Sequence, residues 1–201
     1  MHFRLSWLLP CSAAGLALLL AGPASAHHLM ELFGQQQPTP LAGLLSGLGH
    51  PLFGPDHLLF LLALGLVGLR QSGRWMLLLL VTGLAATGLG LLLPGLPGAE
   101  ALVALSLVAV GLVLCDRLPL SVLLPAFALH GYVLSAPVLG WGATSVLGYL
   151  VGLLISQALL LCLSLRLVQA WARRASAAQL RFLAGGLIGV GAAFAWTSLV
   201  P

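Results

Sequence analysis

Six apolar runs, each near the length a helix needs to cross a bilayer, are separated by short breaks, and this repetition limits what the chain can fold into. The runs occupy residues 41–69, 75–93, 99–115, 119–138, 143–165 and 182–199. Crossing the hydrocarbon as a helix takes about 20 apolar residues. The breaks are turn-rich or charged: Arg70-Gln71-Ser72-Gly73-Arg74, Pro94-Gly95-Leu96-Pro97-Gly98, Asp116-Arg117-Leu118-Pro119, the stretch around Pro137 to Trp141, and residues 166–181. Only 6% of the 201 residues are charged, against about 25% in a soluble domain. That is too little polar surface to face water, so lipid is the solvent for most of the chain. The expected fold is all-α: a polytopic transmembrane helix bundle of six spans.

Residues 1–26 read as a cleaved secretory signal peptide. Arg4 supplies the charged start, Leu5 to Leu20 the apolar core, and Ala24-Ser25-Ala26 the small-residue cleavage site. Residues 27–201 then form one six-span domain whose first residue, His27, lies outside. With that start, Arg70, Arg74, Arg117, Arg166, Arg173, Arg174 and Arg181 all fall on the inner side, while Glu31 and Glu100 fall outside. Loops facing the cytoplasm carry such an excess of Arg. Losing or adding one span would scatter these charges. The expected setting is a bacterial inner (cytoplasmic) membrane with both mature termini outside.

Several functional classes drop out here. The net charge of +4 does not imply nucleic acid, because the arginines are dispersed over loops and form no basic face. Cys11, Cys115 and Cys162 have no metal-site or disulfide spacing. Ser46 lacks the G-x-S setting of a serine nucleophile, so no enzyme is expected. Glycines within the spans, among them Gly83, Gly88, Gly90, Gly185, Gly186, Gly189 and Gly191, are expected to let helix backbones approach closely.

The informative stretch is Gly49-His50-Pro51-Leu52-Phe53-Gly54-Pro55-Asp56-His57, inside the first mature span. On unbroken helix His50 would lie about 13 Å deep and Asp56 and His57 about 22 Å deep. A carboxylate at that depth costs a few kcal/mol or more, so it marks function by default. Pro51 and Pro55 each remove a backbone donor and tend to begin a helix rather than continue one. A bend or short unwound stretch is expected around Gly49–Pro55, swinging Asp56 toward the imidazoles. His130, near the middle of the fourth span, is at a depth to join them, and Gly131 beside it allows close approach. Gln157, Ser156, Tyr149 and Tyr132 are expected to hydrogen-bond between helices.

Neutral imidazoles suit nickel, cobalt, copper and zinc, and one carboxylate offsets part of a dication's charge. No thiolate is near, which argues against a soft Cu(I) site. The candidate metal ligands are therefore His50, Asp56, His57 and His130, with His27 and His28 beside Glu31 gathering the ion outside. No permanently bound cofactor is expected. The ion would be cargo, and the partners are a divalent metal ion and the lipid bilayer. Two other classes fit a pair of intramembrane histidines: a b-type cytochrome with bis-His haem, and a non-transporting membrane accessory protein for metalloenzyme assembly.

His50-Pro51-x-x-Gly54-x-Asp56-His57 resembles the signature of the HupE/UreJ family, membrane proteins associated with nickel hydrogenases and ureases. Phe127-Ala128-Leu129-His130-Gly131 is similar to the family's later motif. The resemblance implies a cleaved signal, about six spans, and secondary transport of nickel or cobalt, with His50, Asp56, His57 and His130 as ligands or filter residues. It also implies a metalloenzyme maturation system as a partner. The sequence departs from the pattern after Gly131: Tyr132-Val133-Leu134-Ser135 stands where many relatives carry a further His and a Glu, so fewer ligands are present.

Overall fold

The computed structural model describes residues 38–68 and 72–200, and all its regular elements are helices. The signal peptide, His27, His28, Glu31 and Arg70 lie outside the described residues.

The first apolar run is two helices, α1 (Pro40–Phe53) and α2 (Pro55–Val67), whose axes meet at 70°. Thr39 caps α1, its Oγ1 accepting from the Ala42 N–H, and Pro40 stands in the first turn, where no donor is missed. Gly54 is extended (φ −85°, ψ 105°), and Pro55 opens α2. The expected break is thus narrower than Gly49–Pro55. Pro51 sits inside α1, near enough to its end for the helix to finish at Phe53.

Four further helical stretches have the length and apolarity to cross a membrane. They are α3 (Gly73–Leu92), α5 (Leu123–Val133, with 3-10 turns Leu120–Val122 and Ala136–Val138 at its ends), α6 (Ala143–Leu163) and α7 (Ala177–Leu199). The α1–α2 pair meets the same test when taken as one broken unit. Between α3 and α5 lies α4 (Ala99–Leu114), whose 16 residues rise only about 24 Å, short of the hydrocarbon's ~30 Å.

Two boundaries move. Helix α6 continues through a π-helical segment, Ser164–Val168, to Ala172, because no Gly or Pro stops it and Arg166 alone does not. Helix α7 starts at Ala177 rather than 182, since Ser176 and Gln179 form a reciprocal capping box.

Direction is legible in the packing. A side chain at Gly43 would strike Ser145, at Gly47 Tyr149, and at Gly65 Ser164. Hydrogen bonds carry the same register onward: Ser164 Oγ donates to the Leu62 carbonyl and Gln169 Nε2 to that of Gly68. Both numbers rise together, so the broken pair advances in the same direction as α6, meeting it along α1 and again at the end of α2. Likewise Gly83 meets Phe127 and Gly90 meets Ser135, making α3 parallel to α5. Gly111 meets Ala184 and Ile188 while Gly191 meets Ala104, so α4 and α7 are antiparallel. Direction is thus set within each of the three packed pairs.

The two poles differ in charge. One gathers the ends of α2 and α4 and the starts of α5 and α7 around a 430 Å³ cavity lined by Val67, Val113, Asp116, Arg117 and Leu180. Arg74, Arg117, Arg166, Arg173, Arg174 and Arg181 all belong to segments at this pole. The other holds a 340 Å³ cavity lined by Pro94, Glu100, Tyr132, Ala136 and Ser198.

Not every glycine packs. Gly43, Gly47, Gly83, Gly90, Gly131 and Gly191 sit where a side chain would strike a neighbouring helix, but Gly88, Gly185, Gly186 and Gly189 face open space. The expectation of tight packing fails at those four because no neighbouring helix comes close, Gly186 lining a groove between α2 and α7.

Candidate metal site

The break at Gly54 sets opposite helix ends against each other in the interior. The last carbonyls of α1 carry partial negative charge and the first N–H groups of α2 partial positive charge. Asp56 occupies the first turn of α2, where a carboxylate is stabilised. Its Oδ1 accepts the His57 backbone N–H at 2.9 Å and the His57 Nδ1–H at 2.9 Å. Gly54 leaves room for this, since a methyl there would lie 3.3 Å from His57 Nδ1 and 3.4 Å from Asp56 Oδ1.

Asp56 thereby fixes the imidazole's tautomer. With Nδ1 protonated, Nε2 carries the lone pair, and this atom is buried without a hydrogen-bond partner. A carboxylate behind a histidine whose far nitrogen is bare is the arrangement that orients metal-binding imidazoles.

Two more imidazoles flank His57. The His50 ring centroid is 5.7 Å away and that of His130 is 4.9 Å away. His50, Asp56, His57 and His130 are each at least 95% buried. Hydroxyl groups settle the outer two tautomers. The Tyr149 O–H donates to the Leu134 carbonyl at 2.7 Å, so its oxygen accepts from His50 Nδ1–H at 3.1 Å. The Ser106 O–H donates to the Val103 carbonyl at 2.6 Å, so its oxygen accepts from His130 Nε2–H, also at 2.6 Å. Phe60 stacks on the His130 ring at 4.0 Å. Each imidazole thus spends its single proton on a fixed protein acceptor and keeps one basic nitrogen.

The structure brings the four expected residues of the described chain into one cluster, joining α1, α2 and α5. It does not arrange them as a closed cage: among the described residues no three His, Cys, Asp or Glu side chains are grouped to hold a metal ion. Asp56 is turned to the back of His57, and the small cavity at the cluster is lined by His57, His130 and Gln157 but by neither His50 nor Asp56. Cys115 and Cys162 are free thiols and lie outside it.

The sequence profile described as HupE / UreJ protein matches residues 15–194. The chain belongs to the HupE/UreJ family. Both motif segments, His50 to His57 and Phe127 to Gly131, lie within the match. The family is associated with nickel or cobalt transport and with metalloenzyme maturation. No curated protein and no solved structure gives a significant match.

Sequence reasoning missed Ser106 in this HupE/UreJ chain. It is a lone hydroxyl between Leu105 and Leu107, and such a serine ordinarily bonds only its own helix. Tyr149 was expected to bridge helices and does so, onto His50 itself. Gln157 was expected to hydrogen-bond, yet its Oε1 is buried without a partner.

Proposed function

We propose that this chain is a six-span permease that carries a divalent transition-metal ion, nickel or cobalt, inward across a bacterial inner membrane. The observation that carries this reading is the bare, buried Nε2 of His57, held in place by Asp56 and set beside the His130 ring. An isolated buried lone pair is costly unless something visits it, and a borderline cation is the partner imidazole favours. His50, Asp56, His57 and His130 form the conducting site, with Asp56 acting mainly through His57 and by its charge.

The helix directions and the gathering of arginine at one pole support the six-span count and an arginine-rich inner side. A signal peptide over residues 1–26 and outward termini complete the topology, with His27, His28 and Glu31 collecting the ion. The membrane potential favours inward flow by about 2.3 kcal/mol per charge per 100 mV. Imidazole without thiolate allows ligand exchange, and conduction needs binding weak enough to release.

Bis-His haem ligation fits poorly. The cavity at the two nearest imidazoles is only about 10 Å³, and their centroids, 4.9 Å apart, leave no place for a macrocycle.

Radioactive nickel uptake by cells producing the wild type or Asp56→Asn tests the proposal. The variant should insert normally and lose uptake, since removing a partner of a metal-bound His costs roughly 10–100-fold in affinity. Equal uptake by both would defeat the site. Uptake into proteoliposomes of the purified chain separates a permease from an accessory protein.

A further inference from the structure

We infer that Gln157 of α6 supplies a side-chain oxygen to the cation bound between His57 and His130. The inference rests on the transport reading above and adds a ligand from a third part of the bundle.

Three observations converge. First, His57, His130 and Gln157 are the polar residues lining a cavity of about 10 Å³, closed otherwise by Pro51, Phe60, Leu61, Phe127 and Leu134. That volume is at the lower limit for one water-sized occupant. Second, both His57 Nε2 and Gln157 Oε1 are buried with no hydrogen-bond partner, Gln157 being only 3% exposed. Third, the proton of His57 is committed to Asp56 and that of His130 to Ser106, so neither ring donates its proton to Gln157 Oε1.

Two unsatisfied acceptors at one apolar-walled cavity form an unstable pair. Each would cost about 1–3 kcal/mol if left alone. A cation answers both at once, because it needs lone pairs and offers no competing acceptor. A neutral amide oxygen adds a harder ligand to the imidazoles without trapping the ion by charge. It also fits the departure after Gly131, where this chain lacks the further His and Glu: α6 provides a donor atom from the other side.

Isothermal titration of Ni2+ into the purified full chain in detergent, on the monodisperse fraction, tests the assignment. Wild type should bind and His57→Ala should not. Gln157→Leu should weaken binding at least about tenfold, the lower bound for losing even an outer-shell partner. Gln157→Glu should bind as tightly as wild type or more so, because it keeps an oxygen and adds charge. If Gln157→Leu does not fold, Gln157→Glu decides alone. Wild-type affinity in Gln157→Leu, with binding still lost in His57→Ala, overturns this inference and leaves the transport reading standing. Weakened binding in Gln157→Glu also overturns it, because the amide would then act as a donor to His57. Absence of Ni2+ binding by the wild type overturns both.

Discussion

The first and last helical units among the described residues are built from similar residues and used in opposite ways. The α1–α2 unit is interrupted by Gly54-Pro55, holds three buried ionisable side chains, and is matched along its length by α6. Helix α7 is unbroken over 23 residues, carries a reciprocal cap and buries only Ala184, Gly191, Phe194 and Ala195. Phe182 and Trp196 stand 81% and 66% exposed, as lipid-facing residues would. Both units are glycine-rich. In α1 the glycines are part of the contact, since Gly43 and Gly47 face the Ser145 and Tyr149 backbone of α6 while Gly148 and Gly152 of α6 face the Pro40 and Leu44 backbone of α1. In α7 three of four face nothing. Glycine therefore marks a seam only where a second helix answers it, and the answered seam is the one that supports the site.

The sharpest way to break this contrast is to place the same bulk on both helices. Gly47→Leu would drive a side chain into the Tyr149 backbone, and overpacking costs about 1–3 kcal/mol or more. Here a rigid carbonyl is the obstacle, so the expected outcome is loss of monodisperse protein in detergent. Gly189→Leu should leave thermal stability within about 1 kcal/mol of wild type, near the range of glycine replacement in a helix. Equal damage from both would show that the Gly189 face of α7, away from its seam with α4, has a packing partner too.

A smaller effect is expected from Tyr149→Phe. It strips one oxygen from two partners, removing the donor to the Leu134 carbonyl and the acceptor of the His50 Nδ1–H. Stability should fall by about 1–3 kcal/mol, read as a lower melting temperature, with weaker Ni2+ binding. Ser106→Ala should cost least, about 0.6 kcal/mol, the average for hydrogen bonds between membrane helices. A cost for Ser106→Ala above that for Tyr149→Phe would make His130, not His50, the better-anchored imidazole.

Much of this was legible in the sequence, and for identifiable reasons. Among the described residues each apolar run does hold helix, because crossing length and apolar content are set by the same physics, though the first run holds two and the edges of α6 and α7 lie five to seven residues away. A break within Gly49–Pro55 was expected from Pro51 and Pro55, whose backbone constraints are local, and it falls at Gly54. Depth alone allowed His130 to meet the first-span histidines. What escaped depends on side-chain direction. Depth arithmetic cannot tell that Asp56 turns toward His57 Nδ1 rather than into the shared space, nor that Ser106 reaches His130 across 24 residues of sequence. The continuation of α6 through Arg166 escaped as well, since a single charge was read as a boundary where no backbone breaker exists.

The hydroxyl groups behind the outer imidazoles carry one more consequence. His50 leads to Tyr149 and on to the Leu134 carbonyl, and His130 leads to Ser106 and on to the Val103 carbonyl. Each relay ends on an atom that receives a hydrogen bond but has no proton of its own to pass along. Both are dead ends for proton hopping, so neither branch carries a proton out of the cluster.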